Sequence, residues 1–325
     1  MPKPRVFVTR VILDQGLKMV QDFCEADVWP EEIPPSPEAL LERVRGVDGL
    51  LCLLTDRVDQ SVLDAAGKSL KVISNHAVGV DNVDVGAASL RGIPVGNTPG
   101  ILTDATADLT FALLMAAARR VVEGERFVRE GRWKTWSPSL LLGADLKGAT
   151  LGIIGLGRIG KAVAKRAAGF EMRVLFADPN PVQLDEKLAA VQVDLDVLLR
   201  QSDFVSLHCP LTDQTRRLMN RTAFEKMKPN AILVNTARGG VVDHQALYDV
   251  LKARRIFAAA LDVTDPEPLP MDSPLLTLDN LIVVPHIASA SRSSRERMSL
   301  MAAENLIAGL RGERLPHCVN PEVYG

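Results

Sequence analysis

Three residues that can perform acid–base and anion chemistry follow apolar, strand-like segments in the second half of the sequence. Arg238 stands in NTARGG, Glu267 in LDVTDPEPLP and His286 in VVPHIAS. A guanidinium can hold a carboxylate and an adjacent carbonyl oxygen through its planar fork of N–H donors. A protonated imidazole can give a proton to a developing alkoxide, and a carboxylate bound to its other nitrogen would orient it. Together these residue types favour reduction of a 2-oxo acid.

A glycine-rich segment, GIIGLGRIGKAVAKRAAGF, has the spacing of a dinucleotide-binding loop. Gly155, Gly157 and Gly160 form G-x-G-x-x-G between an apolar strand-like run and a helical pattern. In such a loop the first glycine makes a tight turn, the second lets the backbone approach a pyrophosphate, and the third packs helix against strand. The sequence therefore predicts a dinucleotide at the N-terminus of this helix, where unpaired N–H groups face the phosphates.

Asp178 ends the next strand-like segment, MRVLFAD, and stands 23 residues after Gly155. At this spacing a carboxylate accepts hydrogen bonds from the adenosine ribose. A 2′-phosphate about 4 Å away would be repelled by roughly 4 kcal/mol at an effective dielectric near 20. The PNPVQ segment that follows offers no Lys or Arg to receive that phosphate. The predicted cofactor is therefore NAD, with NADP disfavoured; the alternative is that Asp178 only caps a helix or turn.

The Arg, Glu and His residues each have a structural interpretation as well. A lone Arg is usually a solvated surface charge, a lone His is more often a hydrogen-bonding core residue, and Glu267 between prolines can be a loop carboxylate. Their shared position at strand ends, after a dinucleotide loop, favours catalysis by Arg238, Glu267 and His286.

Strand-like runs alternate with helical patterns along the sequence, as in parallel sheets with helical crossovers. One series runs from RVFVTR to IPVGN, and a long helix is predicted over about residues 104–129. A second series of uniformly apolar strands starts at Ala149 and ends with NLIVVPHIA, which is typical of a doubly wound sheet covered on both faces. A last helix is predicted over about residues 293–310.

These patterns predict an α/β protein of two domains. A Rossmann-type, doubly wound parallel sheet forms an NAD-binding domain of residues 101–287, inserted in a discontinuous flavodoxin-like α/β substrate domain of residues 1–100 and 288–325. Within the inserted domain, the irregular segment GRWKTWSPSLLLG follows the long helix and holds Trp133 and Trp136.

Composition narrows the class of protein. The chain has 325 residues, 47% of them hydrophobic, and a formal net charge of −2. This charge gives no electrostatic footprint for nucleic acid or an anionic membrane, and the longest apolar run is too short to span a bilayer. The four cysteines form no C-x-x-C pair, so neither a metal site nor a disulfide is predicted. With no apolar leader after MPKPRVFVTR, we expect a cytoplasmic protein with reduced thiols.

Five motifs resemble the D-isomer-specific 2-hydroxyacid dehydrogenase family, and the likeness covers nearly the whole chain. They are GIIGLGRIG, SDFVSLHCPLT, ILVNTARGGVVD, AALDVTDPEPLP and VVPHIAS. The resemblance implies a two-domain subunit, a homodimer, an NAD(P) cofactor, and a catalytic set that falls on Arg238, Glu267 and His286. It also implies that the backbone amides of Val78 and Gly79, in AVGVD, receive the substrate carboxylate.

Within this family the chain is most similar to the glyoxylate reductase/hydroxypyruvate reductase branch, through segments such as LKVISNHAVGVDN and GRWKTWSP. The branch implies reduction of glyoxylate and hydroxypyruvate to glycolate and D-glycerate. It also implies a dimerisation arm, about residues 120–145, from which the partner subunit's Trp136 enters the pocket while Trp133 packs the interface. Animal members of the branch use NADPH and have a Gly-Arg ending where this chain has Asp178 and Pro179, so the branch and the local carboxylate disagree on the cofactor.

The family motifs imply further contacts. They are Gly157, Arg158 and Ile159 for the pyrophosphate, Cys209 and Pro210 for the adenosine, Thr106, Thr236 and Asp262 for the nicotinamide, and Leu54 and Ser289 for the substrate. His76, beside the carboxylate loop, either alters substrate preference or is a satisfied loop residue; the second interpretation is favoured.

Other functions on this scaffold stay open. The alternatives are a dehydrogenase for another D-2-hydroxyacid and a non-enzymatic, NAD-sensing corepressor. Formate oxidation needs no proton transfer at the substrate, so Glu267 argues against it. Turnover would distinguish an enzyme from a corepressor.

Overall fold

The computed structural model describes residues 2–184 and 188–325. Its strands are β1 (Arg5–Val8), β2 (Glu25–Val28), β3 (Gly49–Cys52), β4 (Val72–Asn75), β5 (Val95–Gly96), β6 (Thr150–Ile154), β7 (Arg173–Ala177), β8 (Ala190–Gln192), β9 (Phe204–Leu207), β10 (Ile232–Asn235), β11 (Ala258–Leu261) and β12 (Leu281–Val283). Its α-helices are α1 (Asp14–Phe23), α2 (Pro37–Arg43), α3 (Gln60–Ala66), α4 (Val85–Leu90), α5 (Thr103–Ala118), α6 (Val121–Arg129), α7 (Arg158–Gly169), α8 (Leu195–Gln201), α9 (Arg221–Lys226), α10 (His244–Lys252) and α11 (Arg292–Leu310).

The chain divides into two compact units. The discontinuous unit comprises Met1–Leu102 and Ala290–Gly325, and the inserted unit comprises Thr103–Ser289. The domain crossings predicted near residues 100 and 288 lie next to these bounds. Each unit has its own parallel sheet, so the predicted α/β fold class is confirmed.

The sheet of the discontinuous unit has the strand order β2-β1-β3-β4-β5, and its strand pairs are parallel. This is the flavodoxin-like order. Residues of β3 and β4 are buried throughout. One face packs with Val20 of α1 and Leu306 of α11, and the other with Leu40 of α2 and Leu63 of α3. Loops at the carboxyl ends of β3 and β4 are thereby fixed on a rigid sheet.

The sheet of the inserted unit has the strand order β12-β11-β10-β9-β6-β7-β8, again with parallel pairs. Counted from β6, this is the 3-2-1-4-5-6 order of dinucleotide-binding sheets with one more strand. One face packs against α5 and α7 through Phe111 and Val163, and the other against α9 and α10 through Phe224 and Leu247. The order reverses at β6, so a crevice for a ligand is expected at the carboxyl ends of β6 and β9.

The long helix predicted over about residues 104–129 is wrong in one respect, because α5 ends at Ala118 and α6 begins at Val121. Between them Arg120 adopts a left-handed backbone with φ of 52°, which no continuous helix accommodates. Its guanidinium binds Glu123 through two hydrogen bonds of 2.8 and 2.7 Å. A local sequence pattern does not reveal this turn, because Arg and Glu are both good helix formers.

Of the helices in the described part of the chain, none combines the length with the apolar character that a membrane crossing requires. Nor do the described residues bring three or more His, Cys, Asp or Glu side chains together as a metal-binding group.

Candidate active site

Glu267 and His286 lie in contact within the inserted unit. His286 Nδ1 is 2.6 Å from Glu267 Oε1. The side chain of His286 is 23% exposed, and that of Glu267 is 34% exposed. A hydrogen bond of this length fixes the imidazole plane and occupies Nδ1, which leaves Nε2 to face a reactant. The pair can therefore hold a proton at Nε2 and release it to a bound oxygen.

Asp262, which directly follows β11, anchors the backbone that carries His286. Its buried carboxylate accepts from Ile287 N at 2.6 Å and Ala288 N at 3.0 Å, and its carbonyl accepts from His286 N at 2.9 Å. His286 is held with φ of 51°, an uncommon conformation for a residue other than glycine. Burial raises the pKa of the Asp262 carboxyl, although the hydrogen bonds from the two backbone amides lower it. Asp262 thus positions the histidine; the nicotinamide contact stays a prediction.

Arg238 follows β10 in a loop that Asn235 holds. Asn235 accepts from Ala237 N at 3.0 Å and donates to Arg238 O at 2.9 Å. At Gly239 a Cβ would lie only 1.9 Å from Thr264 O, so only glycine permits this approach of the two backbones. The segment that begins at Thr264 leads directly to Glu267. The RGG motif therefore brings the Arg238 loop against the loop that carries Glu267.

The three loop glycines have separate structural reasons. Gly155 has φ of +90°, and a Cβ there would lie 2.7 Å from Cys209 N, while a Cβ at Gly160 would lie 2.3 Å from Gly155 O. Gly157 differs, because a Cβ there would meet no described atom within 4 Å. No side chain in the described structure caps α7 at Gly157, so its first N–H groups, at Arg158 and Ile159, are available to a phosphate. The open space and uncapped helix fit a dinucleotide pyrophosphate.

Asp178 braces the same loop. Its Oδ2 accepts from Leu156 N at 2.9 Å and its Oδ1 accepts from Asn180 N at 3.0 Å. An ionised carboxylate has about four lone-pair sites, so each oxygen can still accept from a ribose hydroxyl. The half-buried carboxylate is thus both a turn residue and available to a ribose.

The remaining residues predicted for the cofactor lie around this edge of the inserted unit. Cys209 is buried next to Gly155. Burial raises the pKa of its thiol to about 11, so the side chain is an uncharged packing group and not a nucleophile. Pro210 is exposed beside it. Thr236 Oγ1 lies 2.9 Å from Thr110 Oγ1. The buried Thr106 hydroxyl has no hydrogen-bond partner among the described residues, which fits a bound polar group.

In the discontinuous unit, two asparagine side chains hold the carbonyl groups of the loop after β4. Asn97 Nδ2 donates to Val78 O at 2.8 Å, and Asn75 Nδ2 donates to Gly79 O at 2.9 Å. Both carbonyl groups are therefore fixed by hydrogen bonds, and the loop at Val78 and Gly79 is partly exposed. Successive backbone amides of this kind form an anion-binding concavity, which fits the role predicted for them.

A buried network that the sequence did not suggest supports this loop. Asn82 Nδ2 donates to Leu53 O and Asp56 O, each at 3.0 Å, and Asn82 Oδ1 accepts from Asn75. Asp56, only 3% exposed, accepts from Leu53 N at 2.7 Å and pairs with Arg10 at 3.3 Å. Together they fix the turn that carries Leu54. Sequence spacing carries no signal for such contacts, because they join three separate loops.

His76 is 6% exposed, and its Nε2 lies 3.2 Å from Ser299 Oγ. Burial, with the nearby charge of Arg295, lowers its pKa to about 4. The imidazole is therefore neutral and hydrogen bonded near neutral pH, as expected for a satisfied loop residue.

Trp133 and Trp136, in the arm segment, are 59% and 77% exposed. Ser289 is half-buried at the end of the inserted unit.

Known proteins resemble this chain in sequence and in fold. The sequence model of the family "D-isomer specific 2-hydroxyacid dehydrogenase, NAD binding domain" matches residues 111–288. A glyoxylate reductase of Korarchaeum cryptofilum is 53% identical over 323 residues, covering 99% of this chain and 97% of that protein. A solved structure from Thermus thermophilus is 51% identical, with a TM-score of 0.91 and coverage of 97% of this chain and 99% of that one. An NADPH-dependent glyoxylate/hydroxypyruvate reductase of Sinorhizobium meliloti, solved with NADP and malonate, is 31% identical with a TM-score of 0.87, covering 98% of this chain and 97% of that one.

Proposed function

The chain belongs to the D-isomer specific 2-hydroxyacid dehydrogenase family, and we propose that it reduces glyoxylate and hydroxypyruvate to glycolate and D-glycerate with NADH. The observation that carries this proposal is the 2.6 Å contact between His286 Nδ1 and Glu267 Oε1 at the carboxyl edge of a dinucleotide-binding sheet. The relatives named glyoxylate reductase support the choice of substrate.

Each catalytic residue has one task. Arg238 holds the substrate carboxylate and carbonyl oxygen through its guanidinium, which fixes the carbonyl carbon and polarises the bond. NADH, when bound, supplies the hydride that this carbon receives. His286 gives the Nε2 proton to the carbonyl oxygen as it becomes an alkoxide, and Glu267 stabilises the imidazolium before that transfer. In the reverse direction neutral His286 takes the hydroxyl proton.

Asp178 supports NADH over NADPH. A carboxylate at the end of β7 attracts ribose hydroxyls and repels a 2′-phosphate. The relative from Sinorhizobium meliloti is NADPH-dependent, so this scaffold also accommodates NADPH, and the proposal of NADH depends on the charge of Asp178.

The protein is further proposed to be a cytoplasmic homodimer joined by the arm of about residues 120–145. Exposed apolar side chains on and beside this arm support a protein interface there. They are Val121, Val122, Val128, Trp133, Trp136, Leu140 and Leu142. The substrate contacts of Leu54, Val78, Gly79, Ser289 and the partner subunit's Trp136 stay predictions.

The proposal is tested by comparing the wild-type chain with Arg238→Ala. The wild type is expected to oxidise NADH when glyoxylate is added, and the variant to lose about 100-fold or more in kcat/KM, because a charged, bidentate contact is removed. NADH affinity should stay within about twofold, and Arg238→Lys should recover only part of the rate. A wild-type chain that binds NADH and turns over no 2-oxo acid would instead favour the corepressor alternative.

A further inference from the structure

A row of polar side chains, buried except for the half-buried His208, lies on the α5 face of the inserted unit's sheet, at its carboxyl edge. We term it the polar row; its members are Thr106, Thr110, Ser206, His208 and Thr236. Thr110 Oγ1 donates to Thr106 O at 2.8 Å and lies 2.9 Å from Thr236 Oγ1. Ser206 Oγ lies 2.8 Å from His208 Nε2.

Strand geometry places His208 in this row. Side chains alternate between faces along a strand, and Phe204, at the start of β9, belongs to the core cluster on the α5 face. Ser206 follows on that face within β9, and its contact with His208 Nε2 places the imidazole, one residue past the strand, on the same face. The β9–β10 register ends with the pair of Leu207 and Asn235, so His208 and Thr236 are the residues that directly follow the two paired strands.

Two polar atoms of the row have no partner among the described residues, Thr106 Oγ1 and His208 Nδ1, and both are buried. A buried polar atom without a hydrogen-bond partner destabilises the fold, and folded proteins contain few of them. Two in one row, where the sheet is expected to receive its ligand, indicate that a ligand completes their hydrogen bonding.

His208 also adjoins the glycine loop. Its backbone N donates to Ile154 O at 2.8 Å, and a Cβ on Gly155 would lie 2.8 Å from its carbonyl carbon. The unpartnered nitrogen is therefore on the residue next to the turn that opens the dinucleotide site.

We propose that His208 is a cofactor-binding residue, whose Nδ1 hydrogen bonds to the dinucleotide alongside the Thr106 hydroxyl. The inference rests on the proposed function, because it assumes the same cofactor. Since Ser206 engages Nε2, Nδ1 is the nitrogen left for the ligand. Burial lowers the pKa of His208 to about 3, so the imidazole contributes a hydrogen bond and no charge.

Two substitutions separate this role from a structural one. His208→Asn keeps a polar atom near the Nδ1 position and loses the one that meets Ser206. His208→Gln keeps a polar atom near the Nε2 position and loses the other. We expect His208→Gln to weaken NADH binding about threefold to tenfold, the worth of one neutral hydrogen bond, and His208→Asn to stay within about twofold of wild type.

The measurement is the NADH dissociation constant of the full chain by calorimetric titration, with the melting temperature of each ligand-free variant. Thr106→Val, which removes a hydroxyl that makes no bond in the described structure, should also lose about threefold to tenfold. His244→Asn is the matched control, because it removes the Nε2 position of His244, which is likewise buried and unpartnered among the described residues but lies on α10, on the other face of the sheet.

Equal affinities for the two His208 variants, or weaker binding by His208→Asn, would overturn the inference and assign His208 to the packing of Ser206. If wild type binds NADH and reduces glyoxylate but the expected order is missing, only this inference fails. If wild type binds no NADH, the proposed function fails with it.

Discussion

At the scale of single residues, the contact between Glu267 and His286 and the Arg238 guanidinium carry the proposed chemistry. Arg238, Glu267 and His286 are identified by type and position, and the structure brings Glu267 and His286 together. Asp262, whose carboxylate oxygens hold the backbone directly after His286, is predicted from the sequence only as a nicotinamide contact. Its structural task depends on a loop 25 residues away, and no spacing rule covers it.

Asp178 is the residue on which the cofactor prediction depends. The pair Asp178→Gly and Pro179→Arg should shift the ratio of kcat/KM for NADH and NADPH toward NADPH by about tenfold or more, because repulsion becomes attraction. Initial rates with both cofactors measure this. Asp178→Asn is the control, since it removes the charge and keeps an oxygen for the Leu156 or Asn180 amide. An unchanged ratio in the double variant would mean that the carboxylate is only a turn cap.

At the scale of elements, the alternation of strands and helices was predicted well because uniformly apolar strands and the glycine loop are strong local signals. The separation of α5 from α6 was not, since it depends on the left-handed Arg120 and its contacts with Glu123. The Asn82 and Asp56 network was also missed, because three loops of the discontinuous unit converge there only after folding.

Two glycines in the turn from β6 into α7 are expected to differ when replaced by alanine: one replacement should affect stability, and the other NADH binding. Gly160→Ala should destabilise the fold by about 2 kcal/mol or more, because its Cβ would lie 2.3 Å from Gly155 O. Gly157→Ala should change stability by less than about 1 kcal/mol, yet weaken NADH binding about tenfold, since the methyl group enters the space proposed for the pyrophosphate. Urea unfolding and NADH titration distinguish the two. Equal NADH affinity of Gly157→Ala and wild type would place the pyrophosphate elsewhere.

At the scale of the whole molecule, both sheets are parallel and of the α/β class that the sequence predicts. Assembly is different, because a single chain shows exposed apolar side chains and not what covers them. In the proposed arm, the two exposed tryptophans are Trp133, which is 59% exposed, and Trp136, which is 77% exposed.

The two tryptophans should respond differently to truncation. Trp133→Ala should weaken the dimer about 30-fold, the effect of losing an interface anchor, as measured by sedimentation equilibrium. Trp136→Ala should raise KM for glyoxylate and leave the dimer intact. Leu90→Ala is the control, because Leu90 is 90% exposed but lies in the discontinuous unit. A dimer unaffected by Trp133→Ala, or a KM unaffected by Trp136→Ala, would contradict the role given to that residue.

NADH-dependent reduction of small 2-oxo acids at the Arg238, Glu267 and His286 site is the activity from which the other proposals follow. Its sharpest test is the initial rate of NADH oxidation by the purified chain with glyoxylate, hydroxypyruvate, pyruvate and phenylpyruvate, repeated with NADPH. We predict the highest kcat/KM for glyoxylate and hydroxypyruvate with NADH. No turnover of any acid by a folded, NADH-binding chain would contradict the enzyme, and a preference for pyruvate or phenylpyruvate would contradict the proposed substrates.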